Sequence, residues 1–432
     1  MSDIIVYGRG KTGQSLYNMV LALGNTPIMY DDEKGFEKGR FFQKTDTVVL
    51  SPGVKPTAFG VTCAKELGAK TVGELDFCFP YCKGRCVSVT GTNGKTTTTQ
   101  LIYHILQYAK FPSRLLGNGG VPFSQAVLDV QKDETVVLES SSFQLNDAVC
   151  FAPYISVVTN VALDHLDYHG DFQGYVNAKR NNFCHQDSNA FALFNADDEL
   201  ALNMSMDSGA YTLYYSTKNP NANCYYLNGE LHLNVFGETM IFACPYLDTL
   251  SKHNLSNALC AVLVCFLLGV DVGIACESLP YYKFLPHRLQ TVKRHEGVTF
   301  VDDSKATNVH ATLSALECFA NTPLALIVGG SDKCCDFAEL FGNVKSNVKL
   351  ICAVGQTAKK MQAAAKKCGV DVTVCNDYRE AVLKCYRKMR TIGGVVLMSN
   401  ACASFDMFRN YEERGNHFAQ IVEELCGGKA KI

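Results

Sequence analysis

Residues Cys86-Val-Ser-Val-Thr90-Gly-Thr-Asn-Gly94-Lys-Thr-Thr-Thr-Thr99 run from a short apolar strand through a Gly/Asn turn into a lysine and a row of hydroxyls. This order of residue types makes a phosphate cradle. Gly91 and Gly94 allow a tight turn that aims backbone N–H groups at a polyphosphate, Lys95 adds a point charge, and the Thr96 hydroxyl suits Mg²⁺. Leu101, Ile102, Ile105 and Leu106 then give the following segment the apolar face of a helix packed on a sheet. Strand, phosphate turn and helix in this order point to an α/β nucleotide-binding fold with ATP as the ligand. An ordinary glycine-rich turn is the competing reading, and the apolar strand before and apolar helix after weigh against it. The strict pattern G-x-x-x-x-G-K-[ST] asks for glycine at position 89, where this chain has Val89.

Outward from this stretch the chain separates into three blocks. The first, residues 1–83, opens with the strand Ile4-Ile-Val-Tyr7, the turn Gly8-Arg-Gly10-Lys-Thr-Gly13 and a helix through Leu16, Val20 and Leu23. A second strand, Pro27-Ile-Met-Tyr30, ends in Asp31-Asp32. This β–α–β unit with G-x-G-x-x-G and an acid after the second strand predicts a Rossmann-like domain that seats a nucleotide pyrophosphate, without saying which nucleotide. The second block, residues 84–285, alternates strands (Thr135-Val-Val-Leu138, Ile155-Ser-Val-Val-Thr159) with helical stretches, so a parallel sheet with covering helices is expected. From 190 to 243 it turns to short strands, with Asn228-Gly229 as a hairpin signal. The third block, residues 286–432, has strands at Val298-Thr-Phe-Val301, Leu324–Val328, Lys349–Val354, Val372-Thr-Val374 and Gly394–Met398, again α/β. The expected architecture is therefore three α/β domains: Rossmann-like, a central mixed-sheet domain of the P-loop ATPase type, and a second Rossmann-like domain.

Composition narrows the function classes. With 432 residues, 47 % of them hydrophobic, and a formal charge of −2, the chain shows no electrostatic footprint for DNA, RNA or an anionic membrane. Its twenty cysteines would suggest a disulfide framework only in a secreted protein, and the start Met-Ser-Asp-Ile-Ile-Val lacks a basic signal region. Reduced thiols and a cytoplasmic location are expected. Cys78, Cys82, Cys86 and the pair Cys334-Cys335 lack the C-x₂-C spacing of a zinc site. The apolar stretch Leu259 to Val270 is too short to cross a bilayer and reads as a buried helix ending at Gly269.

Two strand ends downstream of the cradle carry candidate ligands. Leu138-Glu139-Ser-Ser-Ser-Phe-Gln144 places a carboxylate where open α/β sheets build their sites, and Thr159-Asn160-Val-Ala-Leu-Asp164-His165-Leu-Asp167 supplies more oxygen and nitrogen. Single carboxylates and histidines are usually structural. Two such strand ends behind one phosphate turn favour Mg²⁺ binding, with Glu139 the first candidate.

The ordered set Thr90-Gly-Thr-Asn-Gly-Lys-Thr96, Glu139–Gln144, Asn160…Asp164-His165…Lys179, His253-Asn254-Leu-Ser-Asn257-Ala, Pro286-His-Arg288 and Asp302-Asp-Ser-Lys-Ala-Thr-Asn308 resembles the Mur ligases over nearly the whole chain. Within that family, Asp303-Ser-Lys-Ala-Thr-Asn308 with Gly329-Gly-Ser-Asp-Lys333 is similar to the D-glutamate-adding branch. The resemblance implies an ATP-dependent amide ligase of peptidoglycan precursor synthesis, acting on UDP-N-acetylmuramoyl-L-alanine and D-glutamate through an acyl phosphate, with domains closing around the substrates and a monomer expected. It implies that Gly91, Thr92, Asn93, Gly94, Lys95, Thr96 and Thr97 hold the ATP phosphates. Asn254, Asn257, Arg288 and Asp303 would complete the ATP contacts, with Lys305 near the terminal phosphate. Thr96 and Glu139 would hold one Mg²⁺, and Glu139, His165 and a carbamylated Lys179 a second. Lys95, Glu139, His165, Lys179 and Lys305 are thus the catalytic candidates. Gly10, Lys11, Thr12, Asp31, Asp32 and Gly53 (in Ser51-Pro-Gly53) would hold the UDP end, and Asn118 and His165 would lie near the muramoyl-alanine end. Thr307, Lys333, Ser404 and Tyr411 would bind D-glutamate. The residues alone leave Lys179 as an exposed lysine on the helix Tyr175-Val-Asn-Ala-Lys-Arg, His287 as a packed or capping histidine, and Lys333 as a solvated lysine after a turn.

The resemblance has departures. The family's C-terminal loop reads Ser-Pro-Ala-Ser/Cys-Ala-Ser, whereas Ser399-Asn-Ala-Cys-Ala-Ser404 has Asn400 in place of proline, which puts the loop's rigidity in question. Arg9 and Lys11 make the first turn more basic. A folylpolyglutamate synthase-like ligase shares the phosphate turn but not the N-terminal G-x-G-x-x-G domain. A dinucleotide-dependent oxidoreductase would use Gly8–Gly13, and a non-catalytic ligase-like subunit would not keep Lys95, Glu139, His165 and Lys179.

Overall fold

Apolar runs four to six residues long, bounded by Gly, Pro and Asp, form strands because helices cover both of their faces and exclude water from every side chain. The computed structural model describes residues 3–36, 41–283, 285–332 and 336–427. It divides into two compact units, Met1–Tyr282 and Lys283–Ile432.

The first unit holds two sheets. One is fully parallel, in the order β2-β1-β3-β4, from β1 (Ile4–Tyr7), β2 (Pro27–Tyr30), β3 (Thr47–Leu50) and β4 (Lys70–Gly73). The order reverses between β1 and β3, and open sheets bind ligands at such a reversal, beyond the strands' carboxyl ends. Gly8 follows β1 and Ser51 follows β3, so the glycine turn and the Ser51-Pro-Gly53 loop meet there.

The other sheet is built on β5 (Arg85–Thr90), β6 (Ser113–Gly117), β7 (Thr135–Glu139), β8 (Ile155–Val158), β9 (Phe191–Asn195), β10 (Tyr211–Ser216), β11 (Cys224–Leu227), β12 (Glu230–Val235) and β13 (Glu238–Ala243). Its order is β13-β12-β11-β10-β9-β8-β5-β7-β6. Pairing is parallel from β6 to β11 and antiparallel through β12 and β13, so the sheet is mixed. Asn228 (φ 50°) and Gly229 (φ 86°) make the two-residue turn between β11 and β12 that their sequence predicts. The helix after the cradle, Lys95–Tyr108, buries Leu101, Ile102, Ile105 and Leu106, each worth roughly 1.5–3 kcal/mol of burial. The predicted apolar helix is there too. It begins seven residues before Leu259, running Lys252–Leu267, with Gly269 in the positive-φ region just beyond it. Among the described residues, no helix is long and apolar enough to cross a membrane.

The second unit has one sheet, β14 (Gln290–His295), β15 (Val298–Asp302), β16 (Leu324–Val328), β17 (Val348–Ala353), β18 (Thr373–Val374) and β19 (Gly394–Met398), in the order β14-β15-β19-β16-β17-β18. β14 is antiparallel and the others are parallel. The segments 303–308, 329–332 and 399–404 therefore all leave the same edge of this sheet.

Candidate active site

The cradle conforms to what its glycines permit. Gly91 (φ 150°) and Gly94 (φ 85°) occupy backbone conformations that side chains rarely adopt, and a Cβ at Gly91 would lie 1.9 Å from Thr159 Oγ1. The turn after β5 is laced to the one after β8: Thr92 N donates to Asn160 O (2.9 Å), Asn93 N to Asn160 Oδ1 (2.8 Å) and Thr159 Oγ1 to Asn93 O (2.6 Å). Thr92 Oγ1 accepts from Ala162 N (2.8 Å), while Thr97 is buried beneath the turn. On the neighbouring helix, Asn257 Oδ1 accepts from Thr98 Oγ1 (3.2 Å) and would lie 2.7 Å from a Cβ at Gly94; Asn254 sits one turn earlier. One buried hydroxyl in the cradle, Thr90 Oγ1, has no hydrogen-bond partner among the described residues.

Two lysines converge on a single carbonyl. Lys95 Nζ donates to Gly91 O (2.8 Å) and Thr92 O (2.9 Å), and Lys179 Nζ donates to Gly91 O (2.7 Å). Lys179 is 1 % exposed, which overturns the reading of it as a surface lysine. Burial, reinforced by the Lys95 charge and partly opposed by Asp164, holds its amine well below the usual lysine range. A lysine amine whose proton is held more weakly in this way is more available as a nucleophile.

Glu139, at the end of β7, is 4 % exposed and accepts from Asn118 Nδ2 (3.1 Å), while Asn118 N donates to Glu139 O (2.9 Å). A Cβ at Gly119 would stand 2.5 Å from Glu139 Oε2 and 3.7 Å from Thr96 Cγ2, so the carboxylate and the threonine flank one small space. His165 begins the short helix Leu166–His169 with φ 54°, lies 3.7 Å from Asp164 Oδ2 through Nε2, and packs edge-on against Phe143. No three His, Cys, Asp or Glu side chains gather into a metal site among the described residues. A metal held here therefore needs the Thr96 hydroxyl or a modified Lys179 to complete its ligands.

At the reversal of the first sheet, Gly10 precedes the helix Lys11–Ala22, whose Thr12 is half-buried, and Lys11 Nζ donates to Gly120 O (2.7 Å). A Cβ at Gly13 would lie 1.8 Å from Gly8 O, and the buried Ser51 hydroxyl beside it has no hydrogen-bond partner among the described residues. Tyr168 OH donates to Val54 O (2.9 Å), holding the loop that carries Gly53. Asp31 turns back onto Glu33 N (3.1 Å), and Asp32 accepts from Phe59 N and Gly60 N (both 3.1 Å), capping the helix Phe59–Glu66.

In the second unit, Asp303 accepts from Ser399 Oγ (2.8 Å) and Leu289 N (3.2 Å). Burial pushes its carboxyl up to about 7, against these two donors and the Arg288 charge. Arg288 and Thr307 are half-exposed, Ser404 is buried, and Lys305 Nζ stands 3.7 Å from the centre of the Tyr411 ring. His287 is packed as expected, hydrogen-bonded to Asp302 Oδ2 at 2.6 Å. Lys333 lies outside the described residues.

Comparison with known proteins follows the same division. Residues 89–265 match the Mur ligase middle domain, and residues 287–402 match the Mur ligase glutamate ligase domain. A UDP-N-acetylmuramoylalanine–D-glutamate ligase of Thermoanaerobacter sp. (strain X514) is 33 % identical over 447 residues, covering 98 % of each chain. One from Aquifex aeolicus is 35 % identical over 426 residues, covering 97 % of this chain and 98 % of its own. This chain belongs to the Mur ligase family. Solved structures show the same fold at low identity: MurF of Thermotoga maritima in complex with ADP (TM-score 0.62, 18 % identity, 99 % of this chain and 96 % of that one) and a type C pseudomurein peptide ligase of Methanothermus fervidus (TM-score 0.62, 16 % identity, 98 % and 100 %).

For a Mur ligase, the replacement of proline by Asn400 has a structural answer. Asn400 is fully buried and donates through Nδ2 to Gly329 O (3.1 Å) and Tyr378 OH (2.8 Å), so side-chain bonds hold the loop where a proline ring would stiffen it. The sequence reading missed Arg414, buried at 0 % exposure on the helix Tyr411–Cys426. The signal was available: Arg414 shares the helical spacing of Phe418, Ile421, Val422 and Leu425, so it stands on the apolar face.

Proposed function

We propose that this Mur ligase joins D-glutamate to the carboxylate of UDP-N-acetylmuramoyl-L-alanine with hydrolysis of ATP, in peptidoglycan precursor synthesis. The observation that carries the reading is the grouping at one sheet edge of the glycine cradle, Lys95, Glu139 and a buried, neutral-leaning Lys179, in a chain related end to end to ligases of that name. The three sheets are read as three domains, residues 1–83, 84–285 and 286–432, working in the cytoplasm as a monomer.

A carboxylate is a poor electrophile, so amide formation needs activation. Its oxygen attacks the terminal phosphorus of ATP, ADP leaves, and the resulting acyl phosphate is attacked by the D-glutamate amine. The tetrahedral adduct expels inorganic phosphate, and the amine loses a proton. In this reading the Gly91–Thr97 cradle and Lys95 hold the phosphates and neutralise the charge moved during transfer; Asn160 takes the Thr92 and Asn93 N–H groups, which leaves the N–H groups at the start of the helix Lys95–Tyr108 for the phosphates. Asn254, Asn257, Arg288 and Asp303 hold the rest of ATP, and Lys305 serves the terminal phosphate. Asn118 keeps the Glu139 carboxylate aimed, and His165 lies at the muramoyl-alanine end. Thr96 and Glu139 suit one Mg²⁺, and Glu139, His165 and Lys179 carbamylated by CO₂ suit a second; bound metal would supply charge neutralisation at the phosphates. The Gly8–Gly13 turn, Lys11, Thr12 and Ser51 take the UDP end, framed by Asp31, Asp32 and Gly53. The relationship over the whole chain to ligases favours this reading over an oxidoreductase that would use the Gly8–Gly13 turn. The test is phosphate release that requires ATP, the UDP-sugar and the amino acid together; release without the amino acid at the full rate would contradict it.

Gly119→Ala should push the Glu139 carboxylate aside, because the added methyl would stand 2.5 Å from Oε2. We expect the Mg²⁺ concentration for half-maximal activity to rise about tenfold or more, the loss of one oriented charged contact, with the melting temperature little changed. A Mg²⁺ titration matching that of the unmodified protein would remove Glu139 from the metal site.

D-Glutamate carries two carboxylates, and the reading gives one of them to Lys333, with Thr307 and Ser404 as hydroxyl donors and Tyr411 against the methylene stem. A charge-assisted contact contributes about 1.5–3 kcal/mol, so Lys333→Ala is expected to raise KM for D-glutamate by roughly one to two decades and to leave KM for ATP and the UDP-sugar nearly unchanged. Equal changes in all three would return Lys333 to a solvated lysine after a turn.

A further inference from the structure

Arg414 carries a charge into the interior, and among the described residues its acceptors are a hydroxyl and backbone carbonyls with no carboxylate. Nε donates to Ser304 Oγ (2.9 Å), Nη2 to Ser304 O (2.7 Å), and Nη1 to Cys402 O (3.0 Å) and Ala403 O (3.2 Å). Burial of a guanidinium is unfavourable unless its forked donors find acceptors, and here its four bonds go to two segments about a hundred residues apart in sequence, Ser304 lying 110 residues and Cys402 12 residues before Arg414. The cation therefore joins the Ser304 segment to the loop 399–404.

The same loop is registered on the turn after β16. Gly329 N donates to Asn400 O (2.8 Å), Ser331 N to Ala403 O (2.9 Å), and Asn400 Nδ2 returns a bond to Gly329 O (3.1 Å). Ala403 O thus accepts from both Ser331 and Arg414. A Cβ at Gly330 would lie 2.2 Å from Ala403 O and 3.1 Å from Arg414 Nη1, so glycine at 330 leaves the room in which loop and guanidinium meet. Ala401 sits at φ 57°, a conformation costly for alanine unless its surroundings impose it. Tyr378 closes the set beneath, its hydroxyl receiving Asn400 Nδ2.

We infer that Arg414 and Asn400 are positioning residues for the amino-acid substrate: they clamp the loop 399–404 to the turn 329–331 and set the site before the amino acid arrives. The inference rests on the reading that these segments bind D-glutamate. A loop that holds its binding form only part of the time weakens apparent affinity by the fraction of time lost, and only for the ligand it touches. The UDP-sugar, bound by residues of neither segment, is insulated from it, whereas Asp303, bonded to Ser399, and Lys305, next to Ser304, link the proposed ATP contacts to the same clamp.

The experiment measures KM for all three substrates, with deuterium exchange over the peptide containing Gly329–Ser331, for the unmodified enzyme, Arg414→Lys and Tyr378→Phe. Arg414→Lys keeps the charge and loses the fork; KM for D-glutamate should rise roughly tenfold while KM for the UDP-sugar stays within about twofold. Tyr378→Phe removes only the hydroxyl under Asn400 and should shift KM for D-glutamate in the same direction by roughly threefold; it decides the matter if Arg414→Lys does not fold. Exchange at Gly329–Ser331 should quicken in both. Equal shifts in all three KM values, or an unchanged KM for D-glutamate despite faster exchange, would overturn the inference. An unmodified enzyme that does not use D-glutamate would instead overturn the proposed function, and unchanged exchange in the variants would still refute the clamp.

Discussion

Lys179→Ala is expected to be inactive in ligation and to recover part of its activity when short carboxylic acids such as acetate are added. The side chain is fully enclosed and burial holds its amine well below the usual lysine range, which favours the free amine that attacks CO₂. Carbamylation would turn a cation that repels metal into an anion that binds it, so the alanine variant loses both the charge and the oxygen ligands. A small carboxylate entering the vacated space restores oxygen near Gly91 without the lysine. Rates with and without added acid, alongside ¹³CO₂ labelling of the unmodified enzyme, test this. An active enzyme with an unlabelled Lys179 would defeat the carbamate.

The second large effect belongs to Lys95 and Glu139. In the structure Lys95 rests on Gly91 O and Thr92 O, carbonyls of the turn proposed to cradle the phosphates, so it need only swing across the cradle to meet them. Removing one preorganised charge at a transferring phosphoryl group costs roughly a hundred- to a thousandfold in turnover. Lys95→Ala and Glu139→Ala should each fall at least that far at saturating Mg²⁺, measured as ADP release in the presence of both other substrates. Near-normal turnover in either variant would remove that residue from the machinery.

Much of this was legible in the chain. The cradle, the strand ends bearing Glu139 and His165, the Asn228-Gly229 turn and most strands of the last block are written in local patterns of glycine, apolar runs and terminal acids, which act over a few residues. The sequence pattern did not reveal β14, antiparallel at the edge of the second unit's sheet, because Gln290-Thr-Val-Lys-Arg-His295 is largely polar and exposed. It also misjudged Lys179, whose helix reads as solvated; only the approach of Gly91, eighty-eight residues away, and of Tyr175 encloses it. Asp32 shows the same limit from the other side. The nucleotide fingerprint assigns it to a ligand, while the folded chain also gives it the N-terminus of the helix Phe59–Glu66. Asn400 looked like the loss of a stiffening proline, and its compensating bonds to Gly329 and Tyr378 are long-range contacts that no local motif encodes.

The central claim is that this Mur ligase adds D-glutamate to UDP-N-acetylmuramoyl-L-alanine. The most direct measurement is ATP-dependent phosphate release with that UDP-sugar against a panel of D- and L-amino acids. Fixing two carboxylates and an amine around one Cα leaves L-glutamate able to place its carboxylates only by misdirecting its amine. Rapid release is expected with D-glutamate and little with L-glutamate or with amino acids lacking the second carboxylate; equal turnover of D- and L-glutamate, or a preference for another amino acid, would contradict D-glutamate addition.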